Sequence, residues 1–417
     1  SFRCDRRARR GLSLLFEAPC LRPPLSVRGF ALLLAALSAL GPFSIDTYLP
    51  SFPEMAERLH ATPLEVQQTL SAYLIPFAVM ALWHGAISDA LGRRRVILWA
   101  LALFGIASAG CVFATRIEHL WLLRAAQGIS AGAGIVISRA IVRDLYDGAA
   151  AQKLMSHVVI TFALAPAIAP VIGGWLQSWF GWRSVFVFLT LLTGVLAFAC
   201  WRWLPETLPP EKRQSLHPAY LARTYWKVLS TPAFLTATAA QALNFCGFFI
   251  YVLSAPMFLM THLGVSEREF LWLFGPAMGG LMLGSWFSGH LAGKLTPMQC
   301  IARGFAIMAA AAVLNLTISQ WLPPGLPWSV LPLFVYTTGM ALAMSALTLL
   351  ALDPFASERG LAASCQTFLQ SGTNGIVAGL VAPLLWGSTQ TLAFGMAGFA
   401  LLGAGAALSH RICSRRT

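Results

Sequence analysis

The sequence predicts an all-α polytopic membrane protein with twelve transmembrane helices in two six-helix halves. Three observations carry that prediction. Apolar residues make up 57% of the chain and charged residues only 11%, with mean hydropathy +0.68, where a soluble domain carries about 25% charge. The apolar residues gather into windows of about 20, the length a helix needs to cross a bilayer. Polar residues gather into short basic turns, except for one long stretch at 205–231 near the middle of the chain.

Taken in order, the spans fall at roughly 29–51, 66–87, 95–115, 119–141, 156–178, 184–204, 233–258, 270–292, 299–320, 328–351, 361–384 and 389–410. Residues 1–28 carry Arg3, Arg6, Arg7, Arg9, Arg10, Arg22 and Pro23-Pro24. They read as a disordered cytoplasmic arm, or as residues ahead of the native start. A secretory signal is poorly supported, because the run Phe30–Leu40 flows into Ser44-Ile45-Asp46 without a cleavage site. The first half is then 29–204 and the second 233–410. Between them, 205–232 has linker chemistry (Pro205, Pro209, Pro210, Glu211, Lys212, Arg213, Lys227), and 411–417 forms a cytoplasmic tail.

Charge fixes the expected orientation. Of 29 Lys and Arg, Arg58, Arg116, Arg183 and Arg268 fall in outer loops when the N-terminus is inside, Arg124 lies within span four, and the other 24 lie at the inner side. That asymmetry follows the positive-inside rule, so both termini are expected in the cytoplasm. The net charge of +13 therefore sets topology and does not signal nucleic-acid binding. The eight cysteines are scattered without a Cys-x-x-Cys pair, which predicts free thiols and no metal site.

The chemistry concentrates in the first half. Between spans two and three lies Gly85-Ala86-Ile87-Ser88-Asp89-Ala90-Leu91-Gly92-Arg93-Arg94-Arg95. Gly92 supplies a turn conformation that a Cβ resists, and the arginines can snorkel into an anionic leaflet. An ordinary positive-inside hairpin would look similar. Span one ends Pro42-Phe43-Ser44-Ile45-Asp46-Thr47-Tyr48-Leu49-Pro50. Asp46 is either wet at the outer interface or an intramembrane carboxylate, which is by default a functional-site hypothesis; desolvation favours the neutral form of a carboxyl. Span four carries Arg124-Ala125-Ala126-Gln127-Gly128, with Arg124 and Gln127 on one helix face. Arg124 either snorkels to the outer surface or needs a partner inside, and Asp46 is a candidate for a direct or water-bridged pair. Span five contains Ala165-Pro166-Ala167-Ile168-Ala169-Pro170-Val171-Ile172-Gly173-Gly174, a bent helix with a bare face.

These motifs resemble those of the major facilitator superfamily. The Gly85–Arg95 turn resembles its signature loop, except that Ala90 stands where the family usually places Arg, so charge pairing in the loop would rest on Arg93 and Arg94. Asp46-Thr47-Tyr48-Leu49-Pro50 resembles the first-helix motif of the bicyclomycin/chloramphenicol resistance branch of drug–proton antiporters. Arg124-x-x-Gln127-Gly128 is similar to a motif linked to proton transfer, and the span-five run to the motif that marks antiporters. Leu204-Pro205-Glu206-Thr207-Leu208 is usual where the central loop begins and is assigned to architecture. The resemblance implies the major facilitator fold, parallel six-helix repeats, alternating access, and contact between Asp89 and the start of the eleventh helix. Internally the repeat shows only as a faint echo at Gly284-Ser285-Trp286-Phe287-Ser288, without the acid.

The second half carries neutral polar residues. Gln241 and Asn244 share a face of span seven near Phe248, and Gln366, Gln370 and Asn374 form a stripe on span eleven. Such stripes serve either interhelical hydrogen bonding or a cavity wall. The expected sites are then Asp46 and Arg124 for proton coupling and Gly85, Asp89, Gly92, Arg93 and Arg94 for the gating loop. Pro166, Pro170, Gly173 and Gly174 make the antiporter helix, and Tyr48, Gln127, Gln241, Asn244, Phe248, Gln370 and Asn374 the substrate cavity. Apart from Asp46 and Asp89 no acid clearly lies within a span, which argues against a sodium site of several carboxylates. None of the eight histidines is spaced like a metal-ligand pair, which argues against an enzyme, and no repeated filter sequence suggests a channel. The expected function is proton-coupled efflux of small amphipathic drugs from a bacterial inner membrane, by a monomer with no cofactor beyond the proton gradient. Its partners would be the small-molecule substrate, protons and the lipid bilayer. Export of an endogenous metabolite is the same-fold alternative.

Overall fold

A computed structural model describes residues 26–146, 148–213, 217–291, 294–355 and 358–413. Most of the expected N-terminal arm (1–25) and the end of the tail (414–417) lie outside the described residues.

Among the described residues twelve long helices make the bundle. They are α1 (Val27–Asp46), α2 (Pro63–Leu91), α3 (Arg93–Val112), α4 (Ile117–Leu145), α5 (Gly148–Phe180) and α6 (Arg183–Trp203) in the first half. In the second come α7 (Pro232–Leu253), α8 (Leu271–Leu291), α9 (Pro297–Trp321), α10 (Leu331–Leu352), α11 (Arg359–Ile376) and α12 (Thr389–Cys413). A π-helical stretch, Val377–Val381, continues α11. Among the described residues ten of these helices are long and apolar enough to cross a membrane by length and composition. Of the other two, α5 has side chains outside the described residues, and α8 is interrupted by five glycines and Pro276. Large apolar side chains such as Trp99, Ile106, Leu122 and Leu401 are exposed on the outer surface of the bundle, as expected where the surrounding solvent is lipid rather than water.

Local chemistry sets the helix ends. Thr62 and Glu65 form a reciprocal capping box at the start of α2, and Thr296 and Gln299 do so at α9, each with Pro at the first helical position. A single residue, Gly92, closes α2 and opens α3 at φ 100°. A Cβ there would meet the Glu206 carboxylate.

Within the first half α2 packs on α4, α3 on α6 and α4, and α1 on α5; within the second α9 and α8 pack on α10, and α7 on α12 and α10. Two seams join the halves, α2 against α11 and α5 against α8. At the first, the Ser71 hydroxyl donates to the Gly375 carbonyl at 2.9 Å. At the second, Gly174 lies so close to the Glu267 carbonyl that no side chain fits between them. Five cysteines among the described residues (Cys111, Cys200, Cys246, Cys300, Cys365) are free and buried.

The stretch 205–232 is more than a linker. It contains an amphipathic helix, Pro218–Leu229, whose Leu221, Thr224, Tyr225 and Val228 are buried at helical spacing. Leu221, Tyr225 and Val228 pack with Phe234, Ala351, Phe355, Ala362 and Cys365. The Tyr225 hydroxyl donates to the Leu82 carbonyl of α2, and Lys227 lies 3.1 Å from Glu358 at the start of α11.

Candidate functional site

The site is built where α4 comes close to α1 and α2. Gly128 of α4 sits directly against the Tyr73 carbonyl and Gly134 against the Leu37 carbonyl, so the backbones meet without intervening side chains. This approach brings Tyr73 of α2 and Tyr48, just beyond α1, to either side of Arg124. The guanidinium carbon lies 4.4 Å from each ring centroid, an arrangement the quadrupole of an aromatic ring favours. Arg124 is fully buried. One of its terminal nitrogens donates to the Ser44 hydroxyl at 2.8 Å, the Ser44 carbonyl at 3.1 Å and Gln127 at 2.8 Å. Gln127 in turn donates to Ser108 of α3 at 2.7 Å, while the Tyr48 hydroxyl lies 2.6 Å from that of Thr69.

Arg124 therefore does not snorkel; it is the hub that ties α1, α2, α3 and α4 together. The expected ion pair with Asp46 is not formed: Ser44, half a turn earlier on α1, binds one terminal nitrogen of the guanidinium, while the other terminal nitrogen and Nε have no hydrogen-bond partner. Asp46 is buried at the end of α1 and turns to a cavity instead.

That cavity, of about 570 Å³, lies between the halves. Its walls are aromatic and aliphatic: Tyr73 and Phe77 of α2, Phe245, Phe248 and Phe249 of α7, Phe274 of α8, with Pro166 of α5 on one side. The polar groups are neutral (Ser285, Ser345, Thr348, Ser371, Asn374), apart from Asp46. Of the residues expected to line it, Phe248 and Asn374 do so. Tyr48 and Gln127 instead serve Arg124. Gln241 accepts from Gln366 at 2.9 Å and Thr348 at 3.0 Å and donates to Gln370 at 3.1 Å, which joins α7, α10 and α11. Asn244 donates to the Met340 carbonyl at 3.4 Å. The stripe thus works mostly as interhelical bonding, with Asn374 alone at the cavity wall. Residues the sequence did not single out (Tyr73, Phe77, Phe274, Thr348) complete the site; they are ordinary apolar and hydroxyl residues of membrane helices and gave no local signal.

The Gly85–Arg95 turn forms a separate charged cluster. Arg93 is nearly fully buried and lies 2.5 Å from Asp89 and 3.1 Å from Asp144. Its backbone N–H donates to Glu206 at 2.8 Å, and Thr207 donates to Asp144 at 2.9 Å. Arg94 donates to the Trp201 carbonyl at 2.6 Å. Glu206 and Thr207, assigned from sequence to architecture alone, therefore clamp the turn. Asp89 pairs with Arg93 and not with the start of α11, where the Pro218–Leu229 helix supplies Lys227 to Glu358. On α5, Gly173 meets the Thr47 carbonyl, the residue after Asp46, and Gly174 meets the second half at Glu267.

Residues 32–378 match the family model of the Major Facilitator Superfamily. The chain is 32% identical to the uncharacterized MFS-type transporter YdgK of Bacillus subtilis, over 84% of this chain and 88% of that one. It is 29% identical to a chloramphenicol resistance protein of Pseudomonas aeruginosa, over 77% and 75%. A D-xylose–proton symporter superposes with a TM-score of 0.73 at 15% identity, covering 91% of this chain and 97% of the other, a likeness of fold alone.

Proposed function

Because the chain belongs to the Major Facilitator Superfamily, and is thus a multi-pass membrane transporter rather than an enzyme, we propose that it exports small amphipathic drugs in exchange for protons. It would stand on the bicyclomycin/chloramphenicol resistance branch. The observation that carries this reading is Asp46, the single acid among the described residues lining a cavity of rings, aliphatic chains and neutral polar groups. Ligand sites of this size are usually apolar with a few placed polar groups. A proton and a substrate that both interact with one carboxylate can exclude each other, which is the chemical requirement of antiport.

The surroundings supply a route by which loading of Asp46 reaches the rest of the bundle. Ser44, on the same last turn of α1, holds Arg124, and Thr47 bears on Gly173 of α5. A shift at the end of α1 therefore moves against both α4 and α5. Through Gly174, α5 touches the second half, so the same shift is transmitted to the seam. Rocking of the halves about α2–α11 and α5–α8 would expose the cavity to each side in turn. The distribution of Lys and Arg supports placing the Gly85–Arg95 turn and both termini in the cytoplasm, the chain acting as a monomer in a bacterial inner membrane. The chloramphenicol resistance relative supports an amphenicol-like cargo.

The test is transport into inverted membrane vesicles under an imposed pH gradient, with amphenicol, bicyclomycin, sulfonamide and dye substrates. Asp46→Asn is expected to abolish gradient-driven accumulation and to retain substrate binding. Unchanged coupling would remove the proton from Asp46. If no substrate moves with the wild-type chain, drug export falls and export of an endogenous metabolite takes its place.

A further inference from the structure

At the end of the bundle opposite the Gly85–Arg95 turn lies a second cavity, of about 250 Å³. Both halves build it: Phe52, Val66 and Gln67 from the first, Leu253, Met257 and Trp386 from the second. Among the described residues no charged side chain lines it. Gln67 is 1% exposed, and neither its carbonyl oxygen nor its amide nitrogen has a hydrogen-bond partner. A buried amide left without partners is costly and rare in native proteins, and calls for a specific explanation. Two further buried hydroxyls without partners, on Ser51 and Ser254, sit next in the chain to the lining residues Phe52 and Leu253. One wall is the π-helical turn Pro256–His262, a geometry found disproportionately at functional sites.

We propose that this cavity is a second ligand site for an uncharged molecule bearing a carboxamide, whose N–H and C=O pair with the Gln67 carbonyl and amide. Gln67 offers two donors and one accepting oxygen, and a carboxamide presents the complement. A charged ligand has no counter-ion here and would lose its hydration without return. The volume is below the roughly 300–1,000 Å³ of drug-sized pockets, so the site takes one ring with its amide: a small molecule whole, or one end of a larger one. Because the two halves share the walls, rocking them changes the site. In the exporter reading, on which this role rests, it is the outer station that receives one end of the cargo after the central cavity.

Binding can be tested without transport. The full chain in lipid nanodiscs is irradiated with a benzamide carrying a ring diazirine, and adducts are mapped by peptide mass spectrometry. Adducts are expected within 52–67 and 257–262 and at Trp386, and the corresponding benzoate probe should give none there. Gln67→Leu, of similar volume, should lower this labelling at least about tenfold, the worth of one good hydrogen-bonded pair, with labelling near Phe245 and Phe274 unchanged. Met257→Trp fills the cavity and should abolish the outer adducts while Gln67 stays in place, which decides the matter if Gln67→Leu does not fold. Adducts confined to the central cavity, or outer adducts indifferent to both substitutions, overturn the proposal. No gradient is involved, so failure of proton-coupled export leaves this readout intact.

Discussion

The two halves meet the same packing problem around the cavity with different chemistry. The first buries charge: Arg124 between two tyrosines, Asp46 at the cavity wall and Arg93 in its acidic clamp. The second, among the described residues, buries no Asp, Glu, Lys or Arg. Its interior is tied by neutral groups instead, with Asn315 donating to the Tyr251 hydroxyl at 2.7 Å and Tyr336 to the Asn244 carbonyl at 3.0 Å. Close packing is common to both but carried differently. In the first half, glycines of α4 (Gly128, Gly134) receive the carbonyls of α2 and α1. In the second, glycines of α8 (Gly280, Gly284) receive the carbonyls of Phe334 and Thr338 on α10. The difference is one of materials: among the described residues buried Asp and Arg lie in the first half, and the second supplies most of the aromatic wall of the cavity.

The largest effect that can break this comparison is expected at Arg124. Arg124→Ala removes charge-assisted hydrogen bonds and two ring contacts, so gradient-driven export should vanish and stability should fall by about 3–5 kcal/mol. Arg124→Lys should not rescue, since an ammonium cannot lie flat between two rings and hold Ser44 and Gln127 together. Thermal unfolding in detergent and vesicle flux read both. Next come the glycines. Gly128→Ala and Gly280→Ala each drive a Cβ into a facing carbonyl and should cost similar amounts, about 1–3 kcal/mol; unequal unfolding midpoints would mean that the halves are not packed alike. Asn315→Ala should cost only about 1 kcal/mol and leave proton coupling intact. A loss of coupling there would place energy transduction in the neutral half as well.

The smallest effect concerns the α7–α8 connection. The Ser266 hydroxyl, at 2.7 Å, and its backbone N–H, at 3.1 Å, donate to Glu269 and hold its carboxyl below the usual carboxylate range. A depressed folded value contributes stability above the unfolded pKa, and that contribution is lost as pH falls through the folded value. Glu269→Gln should therefore speed amide exchange across 264–272 slightly at neutral pH, with the difference gone once acid has neutralised the wild-type carboxylate. A large effect at neutral pH would give surface charge in the second half a weight that its uncharged interior does not suggest.

Much of the fold was legible because hydropathy is written locally. Twenty-residue apolar windows, Pro63 and Pro297 behind their capping threonines, and Gly92 between two helices need no partner from elsewhere in the chain to be read. The site was legible only in part. Arg124 and Asp46 announce themselves as charges in apolar runs, yet that Ser44 rather than Asp46 would take the guanidinium depends on the rotation of α1 against α4. Tyr73 reaches Arg124 because Gly128 lets α2 approach. The clamp of Asp144 and Glu206 on Arg93 joins residues 51 and 113 positions away in the chain. The helix Pro218–Leu229 was missed because its apolar stripe, Leu221-Tyr225-Val228, is too short for a membrane window and is interleaved with Arg223 and Lys227.

That helix also means that the second architectural unit and α7 do not begin at the same residue. Leu221, Tyr225 and Val228 cover Phe234, Phe355 and Cys365, so the segment from Pro218 onward packs on the second unit although it precedes α7, with Tyr225 also hydrogen-bonded to Leu82 of the first. A gene divided ahead of Pro218 into two polypeptides would keep this helix on the second, with the Phe234, Phe355 and Cys365 that it covers. One divided after Ser230 would leave the second without its cover and the first with an apolar helix attached at its end.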